Sequence, residues 1–320
     1  MLNVPRILIA LAAMVTFPVA AQTFPSQPIR LIAPFPPGGS VDIMARLIAE
    51  PLGKELNTRI VIDNRSGASG NIGMESAARS APDGYTVVLN TIPLVTNKSL
   101  FDRLSWDPIR DFAAIGMVAT GPHVLVVHPK VPAAKVEDLV RLARASPGKL
   151  SYASAGVGTT FHFCAEMFKD ATGTFIVHIP YRGGGPALLD TLAGQVELSF
   201  PTLSAALPHV KAGTLRALAV TDTRRSSLLP DVPTLREAGV KDFQFTQWLA
   251  LLAPAGTPQP VVSRLSAALR SILNGQELRA KFQPQGFEPF QTTPEEAGKF
   301  LAAEVERYAK LIKAKGITSD

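Results

Sequence analysis

Strand-like and helix-like runs alternate twice along this chain, and that alternation restricts it to an α/β architecture. The first round reads as strands at residues 30–33, 59–63 and 86–90 separated by helices at 41–56 and 72–80. The second reads as helices at 136–145, 161–172, 186–193 and 205–212 alternating with strands at 150–153, 176–180, 196–200 and 216–221. Between the rounds, apolar runs over 114–128 are interrupted by Ala119-Thr120-Gly121-Pro122, which reads as a breaker and as the first crossing between two units. Residues 245–253 form a return strand, and amphipathic helices at 258–274 and 294–315 close the chain. The pattern predicts two domains, 22–121 with 248–320 and 122–247, each a mostly parallel sheet flanked by helices. Two crossings leave a cleft between them, and clefts beyond the C-terminal ends of parallel strands are where such folds bind ligands.

The bulk composition narrows the function. Hydrophobic residues make up 46% of the 320 and charged residues 18%, which suits a packed core. The net charge is +6, but Lys and Arg are scattered among acids, Arg224-Arg225 being the nearest approach to a cluster. No nucleic-acid partner is therefore predicted. Arg6, the apolar run 7–17 and the small residues Val19-Ala20-Ala21 before Gln22 form an export signal over 1–21, cleaved after about Ala21. No cysteine stands at the cleavage point to carry lipid, and no later run is long enough to span a bilayer. Cys164 is the only cysteine, so an intrachain disulfide and a Cys-based zinc site are excluded, and it reads as a buried thiol. His123, His128, His162, His178 and His209 lack metal-ligand spacing, so neither metal nor cofactor is expected.

Several stretches have the grammar of an anion cradle: a strand, a turn of small residues, then a helix start. They are Ala33-Pro34-Phe35-Pro36-Pro37-Gly38-Gly39-Ser40-Val41-Asp42, Ser154-Ala155-Gly156-Val157-Gly158-Thr159-Thr160 and Tyr181-Arg182-Gly183-Gly184-Gly185-Pro186. Glycine lets a ligand approach the backbone, and a helix N-terminus offers unpaired N–H groups and the positive end of its dipole. Gly67-Ala68-Ser69-Gly70-Asn71-Ile72-Gly73 is a weaker cradle, without the Lys-Ser/Thr of a phosphate loop. His162 either lines the cleft or only packs, and Arg182 either pairs with a carboxylate or sits solvated on the rim. Neither Ser69 nor Ser154 lies in a nucleophile elbow, and no acid pair stands out, so catalysis is not predicted.

Taken in order, the motifs resemble the substrate-binding receptors of tripartite tricarboxylate transporters, the Bug family. The marks are the run Pro34 to Asp42, Asn64-Arg65-Ser66-Gly67-Ala68-Ser69-Gly70, Pro82-Asp83-Gly84-Tyr85-Thr86, Val126-Val127-His128-Pro129, Tyr152 to Gly158, His178-Ile179-Pro180-Tyr181-Arg182-Gly183-Gly184-Gly185-Pro186-Ala187, Leu215 to Thr221 and Ala253-Pro254-Ala255-Gly256-Thr257-Pro258. The resemblance covers essentially the whole mature chain. It implies a periplasmic Venus-flytrap receptor that binds a small organic carboxylate by hinge closure and delivers it to the membrane permease subunits of a tripartite transporter; because no exposed apolar stripe argues otherwise, the chain is expected to be a monomer. It implies first-domain contacts from Phe35, Gly38, Gly39, Ser40 and Asp42, with Ser69 and Thr91 nearby. From the second domain it implies Ser154, Gly158, Thr159, Tyr181, Gly183, Phe200 and Pro201. Where relatives often carry small or polar residues, this chain has Thr91-Ile92-Pro93-Leu94-Val95-Thr96. If that run faces the cleft, the ligand has an apolar or aromatic body. Two other readings remain: a receptor that signals through a sensor partner, and a secreted hydrolase using Ser154 or Ser69 with His162.

Overall fold

The computed structural model describes residues 24–318, so the export signal over 1–21 lies outside the described residues. Strand β1 (Ile29–Ala33) is apolar and fully buried at every position but Arg30, as a central parallel strand requires. It pairs in parallel with β2 (Ile60–Asn64) and β3 (Thr86–Asn90). Helices α1 (Ser40–Leu56) and α2 (Asn71–Ala78) supply the crossovers. Helix α3 (Pro93–Leu100) follows β3 almost directly. The chain then runs along β4 (Phe112–Pro122) into β5 (Val124–Val127) of the second sheet.

That second sheet adds β6 (Ser151–Ser154), β7 (Val177–Pro180), β8 (Leu198–Ser199) and β9 (Arg216–Val220) in the order β7-β6-β8-β5-β9. Helices α4 (Val136–Ala145), α5 (Thr160–Thr172), α6 (Gly184–Leu192) and α7 (Leu203–Lys211) connect these strands. β10 (Thr246–Pro254) returns to the first sheet, followed by α8 (Gln259–Asn274), α9 (Gln276–Phe282), β11 (Glu288–Pro289) and α10 (Pro294–Lys315). The first sheet has the order β11-β4-β10-β3-β1-β2.

Two expectations change. Both sheets are mixed rather than mostly parallel. β10 comes back from the other unit and runs antiparallel to β3 and β4, while β5 runs antiparallel to β8 and β9. The run Ala119-Thr120-Gly121-Pro122 is no break either. It is the end of β4, with Thr120 opposite Trp248 and Pro122 opposite Thr246, and the chain crosses only at His123. A proline is tolerated there because it stands at a strand end. The second crossing lies beside the first, where Thr221 joins them: its Oγ1 accepts from the His123 N–H and its carbonyl from the Phe245 N–H.

Helix α10 shows how local signals set an element's ends. Thr293 and Glu296 form a capping box, Pro294 occupies the first turn and Gly316 closes the helix in a left-handed conformation. Its buried residues Ala297, Leu301, Glu304, Tyr308 and Ile312 recur at helical spacing. Glu304 accepts from the Trp248 indole at 2.8 Å and pairs with Arg307 at 2.7 Å. The Tyr308 ring meets Phe163 of α5 at 5.1 Å, so the last helix touches both units. Replacing Glu304 by Ala strands a buried indole N–H, an expected loss of about 1–3 kcal/mol. Glu304→Gln, which keeps an acceptor, should recover most of it; urea denaturation midpoints of the three proteins check the order.

Candidate functional site

At the C-terminal ends of β1, β6 and β7 the chain turns straight into helices, and three of those turns meet. Gly39 precedes α1, Thr159 precedes α5 and Gly183 precedes α6, and none of the three helices has a side-chain cap. Between them lies a cavity of about 50 Å³, lined by Phe35, Pro36, Gly38, Gly39, Ser40, Val41, Thr91, Pro93, Ala155, Thr159, Thr160, Phe161, Gly184, Gly185, Leu188, Thr202 and Ala205. No lining residue carries charge. The first N–H groups of an α-helix have no partner within it. Three uncapped N-termini around one cavity therefore present backbone donors and positive dipole ends. A second chamber of about 620 Å³ shares Phe35, Pro36 and Ala155 with the first and adds Ser66, Ser69, Tyr181 and the exposed Arg182.

The units meet across this cleft at glycines. A Cβ on Gly183 would lie 2.8 Å from Pro36, and one on Gly158 2.7 Å from Leu100. The Gly158 carbonyl accepts from Thr96 Oγ1 at 2.9 Å. Gly158 has φ +77° and Gly183 φ +127°, a region that L side chains rarely adopt. Side chains at these positions would hold the two faces apart.

The site residues implied by the resemblance fall into three groups. Phe35, Gly38, Gly39, Ser40, Thr91 and Thr159 line the inner cavity, and Ser69 and Tyr181 line the outer chamber. Gly158 and Gly183 form the closing contacts just described. Asp42, Ser154, Phe200 and Pro201 line neither space. Asp42 instead knots the first loop: its carboxylate accepts from the Gly38 N–H, Asn64 Nδ2 and Arg46 Nε, each at 3.0 Å. Burial pushes its carboxyl up, but Arg46, the Gly38 N–H and Asn64 outweigh that and hold it below 3.8. Phe200 is fully buried against Phe168 and gives its carbonyl to His123 Nδ1 at 2.7 Å.

The second loop is supported by rings. Ser154 is fully buried, with Oγ 2.6 Å from His178 Nε2, and accepts from the Gly156 N–H. The serine's imidazole partner is thus His178, not His162. His162 does not line the cleft; its Nδ1 accepts from the Gly158 N–H at 3.2 Å. Its ring stacks on His178 at 4.3 Å, and His178 stacks on Tyr152 at 4.7 Å. Cross-strand register explains this: Tyr152 pairs with His178, and Ser154 lies two residues on along the same face.

The run Thr91–Thr96 also resolves differently from the expectation of an apolar cleft wall. Only Thr91 and Pro93 reach the cavity, while Ile92, Leu94 and Val95 are fully buried. Residues missed from sequence include Thr160, Phe161, Gly184, Gly185, Leu188, Thr202 and Gln247. Thr160, Gly184 and Gly185 stand in the glycine-rich cradles, and Thr202 is the N-cap of α7, its side chain accepting from the Ala205 N–H, a signal that could have found it. Gln247, fully buried, meets Ser40 Oγ at 3.4 Å, and nothing local in its sequence marks it.

Burial pushes His123 and His162 down to about 4 and, with the neighbouring His162, His178 to about 3. The unfolded chain takes up these protons near 6.5, while the folded chain refuses them. Stability is therefore full above about pH 6.5 and falls as pH drops toward 4. Urea midpoints between pH 7.5 and 4.5 should decline over that window.

The family model described as the tripartite tricarboxylate transporter family receptor matches residues 44–317. The protein BugT of Bordetella pertussis is 37% identical over 318 residues, 99% of this chain and 97% of its own length. The solved structure of R. palustris Rpa4515 with adipate superposes with a TM-score of 0.89 at 36% identity, covering 92% of this chain and 99% of that one. MatC from Rhodopseudomonas palustris with bound malate gives a TM-score of 0.85 at 29% identity over 90% of this chain and 100% of that one. The fold is the two-domain α/β fold of periplasmic binding proteins.

Proposed function

The chain belongs to the tripartite tricarboxylate transporter receptor family, and from that premise we propose that it captures a small organic carboxylate in the periplasm and hands it to the permease subunits of a tripartite transporter. The observation that carries this reading is the convergence of three uncapped helix N-termini on a cavity without a charged wall. Backbone donors and dipoles suit a carboxylate, and two relatives are solved with the organic acids adipate and malate. The inner cavity takes the carboxylate head between Gly39, Ser40 and Thr160. The outer chamber, with Tyr181 and Arg182, takes the rest of the ligand.

The two domains close about the crossings at His123 and Phe245. Each face alone offers one or two helix ends. A ligand that touches both faces binds the closed form better and shifts the population toward it. Family membership favours uptake over a sensing role, which would use the same closed shape, and the receptor acts as a monomer. One observation favours a serine nucleophile: the 2.6 Å contact of Ser154 with His178. Against it, Ser154 is fully buried and no carboxylate hydrogen-bonds His178 among the described residues. The chain binds without turnover on this reading.

A thermal-shift screen of the protein from Gln22 onward tests the proposal, after unfolding and refolding to strip carried ligand. One or a few small acids should raise the melting temperature and be recovered chemically intact. No shift with any mono-, di- or tricarboxylate would sink the reading. Gly39→Val sharpens the test. The backbone there has φ −81° and the nearest atom to a built Cβ is 3.7 Å away, so the fold accepts the side chain. Its bulk crowds the cavity mouth and should weaken binding by about tenfold or more, with the unliganded melting temperature unchanged.

A further inference from the structure

The loop that ends β6 and starts α5 makes one face of the cleft; Thr159 donates its N–H and hydroxyl to the Gly156 carbonyl and Thr96 donates to the Gly158 carbonyl, which leaves the Gly156 and Gly158 N–H groups to be held by other side chains. Gly156 and Gly158 both sit at positive φ, which gives the turn its shape but leaves it flexible on its own. Two imidazoles beneath it supply the constraint on the N–H side of the turn. His162 Nδ1 accepts from the Gly158 N–H, and His178 Nε2 contacts Ser154 Oγ, which in turn accepts from the Gly156 N–H. The rings stack at 4.3 Å and 13°, so neither can rotate without disturbing the other.

We propose that His162 is the positioning residue of this face of the cleft, fixing the Gly156–Gly158 turn through an unprotonated Nδ1, and that protonation of its ring unlocks the turn. The inference rests on the ligand-cleft reading for its functional meaning but not for its geometry.

The hydrogen-bond direction decides the tautomer. Gly158 N–H can only donate, so Nδ1 holds a lone pair and the neutral ring carries its proton on Nε2. A second proton must go to Nδ1, where it faces the Gly158 N–H donor to donor. The surroundings resist that proton. His178 lies against one face of the ring, and a second charge there would repel it. Lys169 stands nearby, bonded to Glu166 at 2.7 Å, and its charge opposes the imidazolium. Glu166 Oε1 lies 4.0 Å from His162 Nε2 but is already shared by Lys169 and the Tyr152 hydroxyl. Burial dominates, and the ring is held down to about 4. The turn therefore stays locked throughout the neutral range and opens only in acid.

The test compares the wild type with His162→Asn and His162→Phe. Asn places Oδ1 where Nδ1 stood and accepts at every pH; Phe keeps the stack but has no acceptor. The first readout is the Gly158 amide resonance of the ligand-free protein from pH 7.5 to 3.5. In the wild type it should move upfield as His162 titrates, while in His162→Asn it should stay flat. The second is affinity for adipate at pH 7.5, expected to fall about tenfold in His162→Phe and to be retained in His162→Asn. A residue that merely fills space would give the reverse order, since Phe conserves the ring. A wild-type Gly158 amide indifferent to pH, or one that moves alike in wild type and His162→Asn, overturns the proposal. If the wild type does not bind adipate, that result counts against the ligand reading for this acid, and the amide titration still decides the positioning role.

Discussion

Unpaired backbone N–H groups at the starts of α1, α5 and α6 are the constraint around which the rest of the cleft is arranged. They point where they do because β1, β6 and β7 each end beside the cleft and pass directly into a helix. Backbone donors cannot be lengthened or swung like a lysine. The ligand must come to them, and the loops must stay small. Hence Gly38-Gly39-Ser40, Gly158-Thr159-Thr160 and Gly183-Gly184-Gly185 occupy the three turns, and the cavity wall carries no charge of its own. The same smallness lets the faces meet, Gly183 on Pro36 and Gly158 on Leu100.

Small, glycine-rich loops need support from beneath, and the two units provide it by opposite chemistry. The first loop is knotted by a carboxylate: Asp42 gathers the Gly38 N–H, Asn64 and Arg46. The second rests on neutral imidazoles stacked on Tyr152. A carboxylate that accepts several hydrogen bonds keeps its charge in acid, so the first knot is robust. A buried imidazole works as an acceptor only while unprotonated. The two faces of one cleft therefore respond to acid in different ways.

Much of the fold was legible where signals are local. The boundaries 136–145 and 294–315 match α4 and α10 because acidic first turns, a capping box and a following glycine mark them. α3 escaped because Pro93 and the β-branched Val95 and Thr96 resemble a strand edge, while burial against the core holds the helix. The mixed sheets escaped because strand direction depends on where β10 returns, not on its own residues. Among the site residues, those in glycine-rich turns were visible, since few other roles ask for such sequence. The partner of Ser154 was not: His178 is 24 positions away and becomes a neighbour only through the pairing of β6 with β7.

The sequence alone determined that this chain is an α/β protein of two rounds, with cradle-like turns at defined strand ends and with motifs of a known receptor family. Those features follow from hydrophobic period, helix caps and glycine, all of which act within a few residues. Only the tertiary structure decided that three cradles share one cavity, that Asp42 and His162 hold loops instead of facing it, and that the chain crosses at His123. Convergence, burial and hydrogen-bond partnership are relations between segments far apart along the chain, and they come into being only when both sheets are assembled and α10 packs against them.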